Sequence, residues 1–152
     1  RLEETNIDEV CRAELLAASR LSCNPGVAFT IEAPENPATV RTHAKYFSFV
    51  VRALLDNARK FTREGSVTLR YEIDPRHNQL RVTVTDTGCG IPPEVGRHIF
   101  EKFYQGDTSH AMAGNGLGLA LSLRVLQLND YKIEVESEPG RGSKFTVIIP
   151  KR

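Results

Sequence analysis

Asn57, Asp86 and two clusters of glycine have the residue types that a metal-bound nucleotide requires. Asn57 offers an amide oxygen, a suitable ligand for a hard cation such as Mg²⁺. Asp86 ends an alternating apolar run and leads into Thr87-Gly88-Cys89-Gly90-Ile91-Pro92. Its carboxylate can accept a hydrogen bond from the adenine amine. Gly114-Asn115-Gly116-Leu117-Gly118-Leu119 is a second glycine-rich turn, placed to open a helix. Backbone N–H groups at such a helix start can meet phosphates. Each feature alone is weak, but the three in this order over about sixty residues point to an ATP-binding domain.

The plainer roles differ from residue to residue. A mid-helix Asn57 can be a solvated surface residue, Asp86 can simply end a strand and cap a turn, and Lys60 can be a solvated helix lysine. Two other nucleotide patterns are excluded. The dinucleotide spacing Gly-x-Gly-x-x-Gly would need glycine where Leu119 stands, and no Gly-x-x-x-x-Gly-Lys-Ser/Thr occurs. His43, His77, His98 and His110 share no spacing, and none is followed by an acidic residue.

The elements that must position these residues alternate between helix and strand. Asn6 or Asp8 can cap a helix running through Ala18. Val27 to Ala33 alternates as a strand, and Pro34 to Pro37 is a loop. The longest helix runs from Ala44 to Thr62. On a wheel, Phe47, Val50, Val51, Leu54, Leu55, Ala58 and Phe61 form one apolar stripe, with Asn57 at its edge. Ser66–Ile73 and Leu80–Asp86 alternate as strands around an Asp74–Asn78 turn. A helix is expected from Gly116 to Leu128, then a hairpin of Lys132–Ser137 and Ser143–Ile149. This order predicts an α+β fold: a two-layer α/β sandwich with a mixed, mostly antiparallel sheet and helices on one face. The weakly anchored Gly106–Gly114 stretch between glycines reads as a lid.

Length and composition fit one soluble domain over residues 1–152, with residues 1–26 as a lead-in segment. A net charge of +1 makes no case for nucleic acid or membrane as partner. Cys11, Cys23 and Cys89 lack metal spacing and read as free thiols in a reducing compartment. No apolar run is long enough to span a membrane. The abrupt start at Arg1-Leu2-Glu3-Glu4 reads as a piece of a longer protein.

Leu54-Leu55-Asp56-Asn57-Ala58-Arg59-Lys60-Phe61-Thr62 resembles the N box of sensor histidine kinases. Asp86 to Pro92 resembles their G1 box, Ile99-Phe100-Glu101-Lys102-Phe103-Tyr104 the F box, and Gly114 to Leu119 the G2 box. The tail Glu136 to Phe145 is also similar to the end of that domain. The resemblance runs from Val27 to Pro150 and implies the Bergerat ATP-binding fold of the gyrase, Hsp90, histidine kinase and MutL group. Its F box and flexible ATP lid would occupy about residues 93–115.

The resemblance implies a role for each position. Asn57 would ligate Mg²⁺ and Lys60 would reach a phosphate, which makes these two the catalytic candidates. Phe61 would pack against adenine, and Asp86 would accept from its amine. Gly88 and Gly90 would let the backbone approach the base. Ile91 and Leu119 would line the apolar pocket. Lys102 would answer phosphate charge from the lid. Gly114, Gly116, Leu117 and Gly118 would hinge the lid and present amides to phosphates. The cofactors implied are ATP and Mg²⁺.

The implied function is that of the catalytic ATP-binding domain of a two-component sensor kinase. It would donate the γ-phosphoryl group to a histidine on a separate dimerisation domain, with a response-regulator receiver downstream. The parent would be a homodimer, and this domain its cytoplasmic part below a membrane anchor. The apolar face of Ile7 to Leu16 and the F box are expected to dock on the missing helices.

Three departures stand out. Ala53 replaces the usual polar residue four before Asn57, which disfavours autonomous hydrolysis and leaves a degenerate nucleotide- or partner-binding regulator as the alternative. Gln105 replaces a frequent lid arginine. Asp130-Tyr131 replaces a Gly-Gly turn, where only a local change of backbone is expected.

Overall fold

The structure, a computed structural model, describes residues 2–22, 25–36, 39–88, 126–138 and 140–150. Its elements are β1 (Glu3–Asn6), α1 (Ile7–Leu21), β2 (Val27–Glu32), β3 (Thr39–Thr42), α2 (Ala44–Phe61), β4 (Gly65–Asp74), β5 (Gln79–Asp86), β6 (Lys132–Glu138) and β7 (Gly142–Pro150). Five strands form one sheet in the order β2-β4-β5-β7-β6. Only the β2–β4 pair is parallel. The expected α+β architecture, a mostly antiparallel sheet with helices on one face, is the one observed.

Alternation along the strands decides which face is covered. Val67, Leu69 and Tyr71 of β4, Leu80, Val82 and Val84 of β5, and Phe145, Val147 and Ile149 of β7 are buried and share the inner face. The opposite face carries polar rows. Thr30 bonds Thr68, Thr83 bonds Thr146, and Arg81 pairs with Glu134 across the strands.

Helix α1 starts at a cap that its sequence encodes. The Asn6 side chain accepts the Glu9 N–H at 3.0 Å, and Asp8 and Glu9 place negative charge at the positive end of the helix. The helix runs to Leu21, beyond the expected Ala18, because Ser22 still donates its N–H to the Ala18 carbonyl. Ile7, Cys11, Leu15 and Ala18 recur at helical spacing and are buried in the common core. This overturns the expectation that the Ile7–Leu16 face docks on a missing domain, since that face already covers the sheet and α2. Of its large apolar residues only Leu16 and Leu21 are exposed.

Polar links fix α1 at both ends of its packing. The Tyr71 hydroxyl donates to Asp8 at 2.6 Å, and Arg12 donates to the other Asp8 oxygen at 2.7 Å. Those bonds, the tyrosine's first, hold the Asp8 carboxyl below its ordinary pKa. Glu14 accepts from Ser48 and Arg52 of α2. Burial opposes the charge of Glu14, but Arg52 and Ser48 outweigh it and keep the carboxyl ionised below its usual range. Burial also pushes the Cys11 thiol up to about 12, so it behaves as a small apolar core group.

Strands β1 and β3 form a separate antiparallel pair, which the sequence pattern does not reveal. Their inward residues Thr5, Val40 and Thr42 are buried. Residues 126–128 end a helix just before β6. Asp130 takes the left-handed conformation there (φ 58°), and Tyr131 donates its N–H to the Leu126 carbonyl at 2.8 Å. This is the six-residue closure of a helix C-terminus, with aspartate in the place that favours glycine. The departure from Gly-Gly nevertheless reaches beyond the local backbone. Tyr131 is buried in the core and its hydroxyl hydrogen-bonds Thr42 of β3.

Candidate functional site

Chain connection brings the site together at one end of the sheet. Helix α2 ends at Phe61, and β4 starts four residues on at Gly65. The start of β4 lies beside the end of β5, with Val67 paired to Asp86, and Asp86 is paired in turn to Ser143 at the start of β7. Helix α2 packs on β4 and β5. Asn57, near the end of α2, and Asp86, at the end of β5, therefore lie toward the same end of the two layers.

The predicted stripe of α2 is the buried one. Phe47, Val50, Val51, Leu54, Leu55 and Ala58 are all in the core. Asn57 is only 2% exposed, so it is not the solvated surface residue that its mid-helix position allows. Its Oδ1 and Nδ2 are both buried and have no hydrogen-bond partner among the described residues. A buried amide left unpaired costs about 1–3 kcal/mol. Such a group in a native structure calls for an explanation, an ordered water, an ion or a ligand being the ordinary ones. Arg59 Nε in the last turn and Oγ1 of the C-cap Thr62 are likewise buried and without a partner among the described residues. Ala53 is half-buried and Lys60 is exposed.

Asp86 has the opposite character. It is 3% exposed, and both carboxylate oxygens are engaged. Oδ1 accepts the Gly88 N–H at 2.9 Å, and Oδ2 accepts the Ser143 hydroxyl at 2.6 Å. Each carboxylate oxygen keeps a lone pair, so the group can still accept from a ligand. These two bonds lock the carboxylate and the first turn of the glycine segment in one orientation.

Two glycines allow the strands to close around this turn. Gly142 has φ +119°, and a Cβ there would lie 2.1 Å from the Asp86 carbonyl oxygen. Gly65 has φ +113° and sits against Thr87, whose hydroxyl accepts the Ser66 N–H at 3.0 Å. Neither glycine, nor Ser143, emerged as a site residue from the sequence. The signal for Ser143 was its place in the Gly140-Arg141-Gly142-Ser143 tail, but its meeting with Asp86 depends on strand register. An open depression of about 440 Å³ lies beside this end and is lined by Thr85, Glu136, Arg141 and Lys144 as well as Asp86. Thr85, Lys144 and Glu136 share the outer face of the sheet, away from α2. Its charged walls do not suit an adenine ring.

Of the other candidate residues, Phe61 is placed in the last turn of α2, with its side chain outside the described set. Gly90, Ile91, Lys102, Gly114, Gly116, Leu117, Gly118 and Leu119 lie outside the described residues, as do the F box and the lid. Among the described residues no three His, Cys, Asp or Glu side chains gather as a metal cage. A cation here would depend on a single amide such as Asn57 and on oxygens brought by its ligand, as Mg²⁺ commonly does in phosphate sites.

Comparison with known proteins places the chain's fold in a family. Residues 42–152 match the family described as histidine kinase-, DNA gyrase B- and HSP90-like ATPase. The chain is 38% identical over 119 residues to the sensor histidine kinase RcsC of Escherichia coli strain K12, covering 77% of this chain and 12% of that protein. It is 30% identical over 149 residues to the histidine-protein kinase ArlS of Staphylococcus haemolyticus, covering 97% of this chain and 32% of that one. Among solved structures, full-length ShkA in complex with AMPPNP aligns with a TM-score of 0.84 at 27% identity, over 99% of this chain and 31% of that one. The mycobacterial sensor histidine kinase MprB aligns with a TM-score of 0.81 at 25% identity, over 99% of both chains. The chain belongs to the histidine kinase-, gyrase B- and HSP90-like ATPase family, as an ATP-binding catalytic domain of the histidine kinase kind. It spans between 12% and 32% of the length of these two curated relatives. Among the described residues no helix is long and apolar enough to cross a membrane.

Proposed function

We propose that this domain binds Mg-ATP between the end of α2 and the Asp86 end of the sheet, and presents the γ-phosphoryl group to a histidine on another domain of its parent protein. The observation that carries this reading is the buried amide of Asn57, which has no partner among the described residues. Its oxygen suits Mg²⁺, so the residues present fit the ion. When bound, Mg²⁺ would offset phosphate charge and hold the phosphates in place.

The chain's own groups divide the work. Asp86 accepts from the adenine amine and is held for that task by Gly88 and Ser143. Guanine presents a carbonyl oxygen at that position, which a carboxylate repels. Asn57 anchors the phosphate end from α2. Lys60, exposed on the same last turn, reaches toward phosphate. Phe61, Gly90, Ile91, Lys102 and the Gly114–Leu119 residues are assigned by resemblance to the adenine pocket, the lid and the phosphate amides. The accepting histidine is itself the nucleophile, so the domain's contribution is positioning and charge stabilisation.

Ala53 favours a second reading, a degenerate domain that binds nucleotide or partner without fast transfer. A methyl group four residues before Asn57 cannot orient water or a proton. Dimerisation of the parent, a receiver domain downstream and a membrane anchor above a cytoplasmic catalytic part belong to the first reading. One experiment separates the two. The chain is titrated with ATP, with and without Mg²⁺, and then mixed with a histidine-bearing dimerisation domain. Mg-dependent binding with transfer of acid-labile phosphate supports the kinase reading. Binding without transfer supports the degenerate one, and no binding by the folded chain refutes both nucleotide readings.

A further inference from the structure

The geometry points to Tyr131 as a positioning residue that sets the separation between the two ends of the nucleotide site through its hydrogen bond to Thr42. This rests on the Mg-ATP reading above. Thr42 directly precedes His43, the N-cap of α2, the helix that carries Asn57 and Lys60. Tyr131 directly precedes β6, which pairs with β7, the strand that brings Ser143 to Asp86. The bond therefore ties the start of the helix holding the phosphate end to the hairpin supporting the adenine end.

The surroundings make this bond a firm one. Thr42 is 3% exposed and Tyr131 6%. Tyr131 is held on its backbone side as well, by the N–H it gives to the Leu126 carbonyl. Thr42 is held by the β1–β3 pairing, where it faces Glu3. A buried hydroxyl pair between two anchored backbones is directional, unlike apolar contact, so it specifies one relative placement of the layers.

Leverage gives the bond its consequence. At a rise of 1.5 Å per residue Asn57 lies about 20 Å along α2 from its start, so a tilt of about 5° at Thr42 moves Asn57 by about 1.7 Å. A misplacement of about 1 Å can cost about a hundredfold in a reaction that depends on positioning. ATP touches both ends of the site and senses this shift. Adenosine needs only the Asp86 end and does not.

The test compares Tyr131→Phe, Thr42→Val and the double variant with the unaltered chain. Mg-ATP affinity is measured by calorimetry, adenosine affinity by NMR titration, and stability by urea unfolding. Each single variant leaves a hydroxyl without this partner and is expected to lose stability. The double variant removes both groups and regains most of it. Mg-ATP binding is expected to weaken at least about fivefold in all three, the low end of coupling between distant sites. Adenosine binding is expected to stay within about twofold in the same proteins. Equal weakening of ATP and adenosine, or ATP affinity that returns with stability in the double variant, overturns the proposal and leaves a purely structural bond. Absence of Mg-ATP binding by the unaltered chain overturns the underlying reading together with this one.

Discussion

Exchanging Asp86 for asparagine separates the carboxylate's part in recognition from its part in the fold. The side chain is 3% exposed and accepts from Gly88 at 2.9 Å and from Ser143 at 2.6 Å. Asparagine has the same shape. Its Oδ1 can keep the Gly88 N–H, and the Ser143 hydroxyl can turn to accept from the new amide. Both internal contacts survive as neutral bonds. Charge-assisted bonds are roughly twice as strong as neutral ones, so the pair loses about 1–2 kcal/mol. Relief of a buried charge offsets part of this loss. The fold should therefore stay within about 1–2 kcal/mol of native. Recognition should suffer more, because an amide donor now faces the adenine amine. Losing a bond to a charged acceptor costs about 1.5–3 kcal/mol, which is about ten- to a hundredfold in ATP affinity. GTP presents a carbonyl at that place, so Asp86→Asn should also narrow the preference for ATP over GTP. Calorimetric titration with both nucleotides, alongside urea unfolding, reads both effects. A variant of native stability that binds ATP within twofold of the native value refutes Asp86 as the acceptor.

Replacing Asn57 by leucine removes two buried unpaired polar atoms, so Asn57→Leu should raise urea stability by about 1–2 kcal/mol while abolishing the Mg²⁺ dependence of ATP binding. A loss of stability greater than that gain would count against the orphaned amide. Gly142→Ala should cost more than about 2 kcal/mol in unfolding, because its Cβ meets backbone at 2.1 Å. Gly65→Ala should cost less, since the nearest atom there is the end of the Thr87 side chain. Asp8 has a folded pKa below its unfolded value of 3.8, owing first to Tyr71 and then to Arg12. Its contribution is therefore present above pH 4 and lost as pH falls through the folded value. Tyr71→Phe should accordingly destabilise by about 1–3 kcal/mol at pH 7 and by less at pH 3, as measured by urea unfolding across pH. Cys11, with its thiol raised to about 12 by burial, should resist alkylation at pH 8 in the folded chain and react after unfolding, as mass spectrometry of the peptide would show.

The sequence discloses periodicity well and partnership poorly. The apolar stripe of α2 and the alternation of β4 and β5 name their buried residues, because 3.6- and 2-residue periods are local properties. The same logic misleads for α1. Its stripe of Ile7, Cys11 and Leu15 is real, but an amphipathic face does not say what covers it, and α2 and the sheet cover it here. Strands β1 and β3 are four residues each, too short for alternation to stand out against Thr-rich surroundings. Asp86 is legible from the glycines that follow it. Ser143 is not legible, because its bond to Asp86 joins residues 57 positions apart through a register that only the folded sheet defines. Tyr131 shows as a departure from a turn motif, yet its reach to Thr42 needs the β1–β3 pair, which is itself unseen in the sequence.

The two ends of the site are built on opposite principles, and the contrast bears on how binding energy is used. Asp86 is satisfied before any ligand arrives, with both oxygens held by donors that fix its direction. An acceptor fixed in this way loses little entropy on meeting adenine, so this end favours selectivity and ground-state affinity. Asn57 is unsatisfied before binding, with an amide buried at a cost and no partner among the described residues. On the proposed reading, the Oδ1 part of that cost is relieved when an oxygen-seeking cation and its phosphates enter. On that reading the relief belongs to the phosphate end, and adenosine alone does not obtain it. Bound Mg-ATP obtains that relief already in the ground state, so it adds to affinity, and it raises the rate of transfer only as far as the contact strengthens in the transition state. Asn57 substitutions should therefore weaken Mg-ATP binding, and any loss of transfer that persists at saturating Mg-ATP reads the part of the contact made only in the transition state. Asp86 substitutions should act chiefly on affinity and be largely overcome by saturating ATP.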